Sequence, residues 1–380
     1  MIKWKIPLYK ITNDNEDLLA VKKVITRGTD WAIGPEIEYF EKLLADYVGV
    51  DHCLAFNSGT SSLHAALLAI GTKEGDEVMV PSFTFIATPN SVLVVNALPR
   101  FVDIEQETFG INPELVERTV SKSTRALIPV HYAGMPCKIE EIASIAKRKK
   151  LYLIEDAAES LGSVANGKNV GTFGDLSIFS FASNKVVTTG EGGAVVTDSK
   201  KIYDKLKLIR SHGRKDFENY FSSTRNADYI TIGYNWRMSS ITAALAISQL
   251  RKIEKLIALR RNHARYLSSK LKRLQGIVVP KEPVGFRHVY QLYSILLHTS
   301  KTRNALMKFL TKKGIMSKVF FYPCHLTSFY KKLSSSKGNS LKVTENISSR
   351  ILTLPMYPGL KKEELDYIVN SIGEFMEQLE

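Results

Sequence analysis

Three short stretches of this sequence place reactive or charged side chains where apolar runs end. In Ser180-Phe181-Ala182-Ser183-Asn184-Lys185 a lysine follows such a run and leads into the glycine-rich Thr189-Gly190-Glu191-Gly192-Gly193. Burial disfavours an ammonium and lowers its pKa, which turns the amine into a nucleophile toward an aldehyde. The glycines permit positive φ and close backbone approach, and they suit an ordinary hairpin turn equally well. In Glu155-Asp156-Ala157-Ala158-Glu159 the acid at 156 follows the mostly apolar Leu151–Ile154. A carboxylate leaving a buried strand needs a strong partner, such as a protonated pyridine nitrogen, unless it simply caps a following helix. In Asn57-Ser58-Gly59-Thr60-Ser61-Ser62, hydroxyls and backbone N–H groups at the opening of a helix form a cup for a phosphate. Taken alone, that segment is also a turn with a Ser/Thr cap.

Together the three are the parts of a pyridoxal-phosphate (PLP) site: a phosphate cup, an acid for the ring nitrogen and a lysine for the aldehyde. The elements around them must bring them to one place. The first 200 or so residues alternate short apolar runs with longer helical patterns, as βαβ units do. Strands are predicted at His52–Phe56, Glu77–Pro81, Arg100–Asp103, Ala126–Val130, Leu151–Glu155, Leu176–Phe181 and Gly193–Thr197. Helices are predicted at Pro35–Val48, Ser61–Ile70, Pro113–Val120 and Lys138–Lys149. The fold class is therefore α/β with a mostly parallel sheet, and ligands in such sheets bind beyond the carboxyl ends of strands. A long helix is expected from Ser239-Ser240 to about Gly276. After it come an alternating segment at Val289–Leu297, a helix at Thr302–Lys313, a loop at Tyr322–Thr327 and a last helix from Lys361. This divides the chain into a large domain, residues 1–250, and a smaller α+β domain, residues 251–380.

The 380 residues carry 52 Lys and Arg against 38 Asp and Glu, a formal charge of +14 that favours anionic partners. The basic run Lys147–Lys150 ends a predicted helix and the charges of Arg251–Arg273 line another, so both read as solvated faces, with no nucleic-acid motif beside them. Cys53, Cys137 and Cys324 are scattered and odd in number, which excludes a disulfide framework or a zinc site and suits a reducing cytoplasm. No apolar run approaches the length of a membrane helix, and MIKWKIPLYK does not read as a signal sequence.

The sequence resembles the DegT-type nucleotide-sugar aminotransferases, a family of PLP-dependent transferases with the aspartate-aminotransferase-like fold (fold type I). The likeness runs from Gly34-Pro35 and Asn57–Thr60, through Glu155–Ala158 and Ser180–Gly193, to Leu354-Pro355-Met356-Tyr357-Pro358. It implies that Lys185 forms a Schiff base with PLP and that Asp156 holds the pyridine nitrogen protonated. Gly59, Thr60, Ser61 and Ser180 would hold the phosphate. Phe85 would stack on the ring, although core packing would also explain it. Glu159 occupies a position beside the phenolic oxygen where glutamine or histidine is more usual. Asn235 matches an asparagine that reaches the phosphate of a neighbouring subunit, which implies a homodimer with shared active sites. Tyr322 and His325 match a loop that touches the sugar nucleotide, a loop that could equally be held for its shape. No metal is expected. The implied activity moves an amino group from L-glutamate, through pyridoxamine phosphate, to a keto sugar on a nucleoside diphosphate. Glu191 resembles members acting at C4 of a 4-keto-6-deoxy sugar, and Asn184-Lys185 resembles perosamine synthases. A C3-keto sugar, a non-nucleotide cyclic ketone and a non-enzymatic basic regulator are the alternatives. Lys185 itself argues against the related sugar dehydratases, which replace that lysine with histidine.

Overall fold

A computed structural model of the chain describes residues 4–215, 224, 226–333 and 340–378. The strands are β1 (His52–Phe56), β2 (Glu77–Pro81), β3 (Leu98–Val102), β4 (Thr124–Leu127), β5 (Tyr152–Asp156), β6 (Val164–Ala165), β7 (Lys168–Asn169), β8 (Leu176–Ser180), β9 (Gly193–Thr197), β10 (Ile277–Val278), β11 (Phe286–Arg287), β12 (Tyr293–Leu297) and β13 (Ile351–Leu354). The helices are α1 (Asn15–Arg27), α2 (Pro35–Val48), α3 (Gly59–Ala69), α4 (Ala87–Leu93), α5 (Pro113–Thr119), α6 (Ile139–Lys149), α7 (Lys200–Arg210), α8 (Ser240–Arg251), α9 (Ile253–Leu271), α10 (Ser300–Lys312), α11 (Lys342–Arg350) and α12 (Lys362–Glu377).

The seven strands expected from the apolar runs form one sheet in the order β1-β9-β8-β5-β4-β2-β3. It is parallel except at β9, which runs against both β1 and β8. β1, β5, β8 and β9 are buried along almost their whole length because both of their faces are covered. Helices start and stop where local chemistry allows. Pro35 sits in the first turn of α2 and Gly49 closes it at φ 90°, while Asp14 caps α1 and Asp17 caps back.

The single long helix expected from Ser239 to Gly276 is two helices. α8 ends at Arg251, α9 begins at Ile253, and Lys252 between them donates to Asp14 and Asp17 at 2.8 Å each. That ion-paired junction lets α8 pack on α1 and α2 while α9 turns toward α12. The alternating segment at Val289–Leu297 is a strand only from Tyr293, because Tyr290 takes a positive φ of 51° that no ladder tolerates.

β10, β12 and β13 form a second, antiparallel sheet packed with α9, α10 and α12. Several hydrogen bonds fasten the C-terminal third to the rest of the chain. Asp103, just past β3, accepts from Val343 N, Thr344 N and Thr344 Oγ1 and so caps α11. Cys324 N donates to the Ser82 carbonyl at 2.9 Å, and Tyr330 to Asn90 at 2.8 Å. Among the described residues no helix is long and apolar enough to cross a membrane.

His288 lies buried at the junction of the two parts, stacked on Tyr290 and accepting from Tyr290 N at 3.0 Å through Nδ1. Burial pushes its imidazole down to about 3. The unfolded chain therefore takes up this proton first, and the contribution to stability is complete above about 6.5 and falls as the pH drops below it. Denaturation of the cofactor-free protein should show stability declining by up to about 1.4 kcal/mol for each pH unit below 6.5 from this residue. His288→Asn, which keeps an acceptor for Tyr290 N, should flatten that decline; an unchanged slope would show that other groups set it.

Candidate active site

Asp156 is the last residue of β5, and the strand's alternation turns it to the face opposite Glu155. Glu155 is fully buried and satisfied: it accepts from Gly171 N, Phe173 N and Gly174 N at 2.8–2.9 Å and from His131 Nε2 at 3.1 Å. His131 Nδ1 in turn accepts from Cys137 N, which places the proton of a neutral ring on Nε2. Asp156 has weaker company. Thr88 Oγ1 donates to Oδ2 at 2.7 Å and Ala158 N to Oδ1 at 3.2 Å, and no cation bonds it among the described residues. Burial raises its pKa above the usual carboxylate range, against those two hydrogen bonds and the field of Lys185. No helix follows β5, so the helix-cap alternative for Asp156 falls away.

Lys185 stands in a turn beyond β8, its N–H donating to Ala182 O at 2.9 Å. The side chain is only 14% exposed, and Nζ lies 3.4 Å from Glu159 Oε1. The other oxygen of Glu159 accepts from Ala133 N at 2.8 Å. Lys185 thus meets Glu159 directly and Asp156 only through its field, which leaves Asp156 without a bonded cation of its own among the described residues. A protonated pyridine would supply one.

The start of α3 has the form of an anion cup. Ser58 caps it, accepting from Ser61 N at 3.1 Å, and the first N–H groups of the helix, at Gly59 and Thr60, have no intrahelical acceptor. Ser180 ends β8 directly beside Gly59, where an added Cβ would stand 2.9 Å from the Ser180 Cβ. The glycine turn closes the other side. A Cβ on Gly193 would run into the Ser58 carbonyl, with Gly59 N 2.6 Å away. This is packing of the cup and not merely a hairpin preference. Gly193→Ala should therefore destabilise the protein by about 3 kcal/mol and weaken PLP binding, measured by denaturant unfolding and by cofactor titration. A variant as stable as the parent would show that the cup gives way easily. Ser61 turns inward, its hydroxyl donating to Asn57 Oδ1 and its N–H committed to Ser58, so the cup is left to Gly59, Thr60 and Ser180.

Phe85 leaves β2 on an elbow ahead of α4 and is 59% exposed, which answers the core-packing alternative. Asn235 is exposed on a segment whose neighbour, Trp236, accepts from Asn57 N at 2.8 Å beside the cup. Tyr322 is exposed. His325 is not: its Nδ1 meets Ser82 Oγ at 2.6 Å and its Nε2 faces Glu345 Oε1 at 3.4 Å. The ring in this position holds the loop onto β2. Thr88, Ala133 and Gln291, whose amide donates to the Asn184 carbonyl, were not read from the sequence, where nothing near them marks a site.

The residues fit PLP: a buried carboxylate without a bonded cation lies within the field of an enclosed lysine, and the anion cup stands at the ends of the strands whose connection carries that lysine. The sequence model of the DegT/DnrJ/EryC1/StrS aminotransferase family matches residues 12–373. A GDP-perosamine synthase of Vibrio cholerae is 36% identical over 372 residues, 97% of this chain and 99% of that protein. A DegT/DnrJ/EryC1/StrS aminotransferase from Brucella abortus, known as a crystal structure, is 34% identical over 95% of each chain with a TM-score of 0.87. NtdA from Bacillus subtilis, solved with bound cofactor PMP, is 29% identical, with a TM-score of 0.87 over 97% of this chain and 83% of that one.

Proposed function

Because the chain belongs to the DegT/DnrJ/EryC1/StrS aminotransferase family, we propose that it is a PLP-dependent sugar aminotransferase that converts a nucleotide-linked 4-keto-6-deoxy sugar to the 4-amino sugar, with L-glutamate as donor. The observation that carries the chemistry is a single enclosed lysine set against two buried acids, 3.4 Å from Glu159 and within the field of Asp156. The substrate class is supported by the 36% identity to a GDP-perosamine synthase across nearly the whole chain, together with the likeness of Glu191 and Asn184-Lys185 to enzymes acting at C4.

PLP, when bound, supplies an electrophilic carbonyl carbon and a conjugated ring able to take up an electron pair. Lys185 would hold it covalently and, once displaced by the amino donor, carry the Cα proton as base and then acid. Asp156 would keep a proton on the ring nitrogen, trading its raised pKa for a charge-assisted hydrogen bond. Gly59 and Thr60 offer N–H groups to the phosphate and Ser180 its hydroxyl, while Phe85 offers a ring face. Glu159 is anchored by Ala133 N, which leaves Oε1 to face Lys185, and it would stand beside the cofactor held by that lysine. A second copy of the chain would bring Asn235 to the neighbouring cup. The charge of +14 favours approach of a diphosphate-bearing substrate.

The test is to supply PLP and L-glutamate with a set of 4-keto- and 3-keto-sugar nucleotides and a non-nucleotide cyclic ketone, then read the products by mass spectrometry. Replacement of the C4 ketone oxygen by an amine is the expected result. Turnover confined to a 3-keto sugar or to the free ketone would sink the C4 reading.

A further inference from the structure

A hydrogen-bonded ring joins Lys185 to a segment about a hundred residues downstream. From the side chain of Lys185 it passes to Glu159 Oε1 at 3.4 Å, and from Glu159 Oε2 to Ala133 N at 2.8 Å. Ala133 O accepts from Leu292 N at 3.1 Å, and Gly134 O accepts from Val289 N at 3.0 Å. The adjacent Gln291 then returns to the lysine turn, its Nε2 donating to the Asn184 carbonyl at 2.5 Å. The base of this bracket is rigid. Arg260, buried in α9, donates through Nη1 to the carbonyls of Tyr290, Gln291 and Met356, and Tyr290 is fixed at positive φ.

We propose that Gln291 is a positioning residue for Lys185: it fixes the main chain of Asn184, and with it the direction from which the amine approaches, in register with the segment that anchors Glu159. The inference rests on the reading of Lys185 as the cofactor-bearing proton carrier. Packing alone does not account for this side chain. Gln291 is 2% exposed, yet its Oε1 has no partner among the described residues. A buried acceptor left unmet is a cost to the fold, typically about 1–3 kcal/mol, and leucine of similar size would avoid it. The amide is therefore held at the expense of stability, at a point that touches the reacting lysine's own backbone.

The experiment compares the holoenzyme with Gln291→Leu and Gln291→Glu, both of which lose the amide donor. Three quantities are read: the single-turnover rate with L-glutamate as its concentration varies, the circular dichroism of bound PLP in its visible band, and thermal unfolding without added cofactor. Gln291→Leu should be about as stable as the parent, since it removes the unmet Oε1 and leaves the Asn184 carbonyl without its donor. Its saturating rate should fall about tenfold, as expected for slight misplacement of a reacting group. The glutamate concentration for half-saturation should be unchanged and the dichroism altered, and Gln291→Glu should show the same loss of rate. Parent-like rate and dichroism in both variants would overturn the proposal. So would a loss of rate that simply tracks a loss of stability, which would make Gln291 a packing residue. A parent protein that binds no PLP would instead overturn the proposed function, and this inference with it.

Discussion

Lys185→Ala should lower transamination by roughly 10²–10⁴-fold, the range attributed to a positioned general acid–base, while the chain still folds. The structure gives both halves of that expectation. The amine is enclosed and has one direct partner, Glu159, so nothing else among the described residues stands ready to move the same proton. Removing it breaks no helix or strand, because the turn is closed by backbone bonds from Lys185 N to Ala182 O and from Thr189 N to Phe181 O. The truncation removes the field of Lys185 from Asp156, so that carboxyl is expected to hold its proton more readily. Stopped-flow absorbance with L-glutamate, alongside circular dichroism of the folded variant, checks the prediction. A small primary amine in solution should restore part of the rate. Turnover within tenfold of the parent would show that another base serves, and Glu159 would be the first to examine.

The candidate residues that lie along a short stretch of chain were legible in the sequence; those whose partners lie far along the chain were not. Lys185, Asp156, Gly59 and Ser180 announce themselves because each ends or follows an apolar run, and all but Asp156 have glycines or hydroxyls nearby. The parallel sheet then brings those strand ends together. Thr88 looks like any threonine in a helix, and only the fold sets its hydroxyl 2.7 Å from a carboxylate 68 positions away. Gln291 and Arg260 are equally silent, since their partners are main-chain carbonyls that leave no trace in composition. The break at Lys252 escaped the periodicity for a related reason. The apolar spacing continues through it, and the split is held by Asp14 and Asp17 at the far end of the chain. His325 shows the converse: its type and its loop suggested contact with substrate, and burial against Ser82 and Glu345 points to the fastening of that loop.

Asp156→Asn should separate function from stability in opposite directions. Transamination should fall about 10²–10³-fold, comparable to the removal of a well-placed electrostatic partner of the reacting group, because a neutral amide no longer favours a proton on the ring nitrogen. The cofactor-free variant should at the same time be more stable than the parent at neutral pH, by about 1 kcal/mol or more. Burial raises the carboxyl's pKa in the folded protein above its unfolded value of 3.8, so the unfolded chain gives up this proton first. Asp156 therefore weakens the fold progressively as the pH rises above its unfolded value. Asparagine can take over both existing contacts. Its carbonyl can accept from Ala158 N, and its amide can donate to Thr88 Oγ1 if that hydroxyl turns to Thr84, 2.9 Å away. Denaturant unfolding of both proteins without cofactor, at acidic and neutral pH, gives the difference directly. Saturating PLP should shrink or reverse it, since only the aspartate gains a cationic partner on binding. A less stable asparagine variant at pH 7 would mean that Thr88 and Ala158 N already compensate the buried charge, and that the acid is stable in its ionised form before any cofactor arrives.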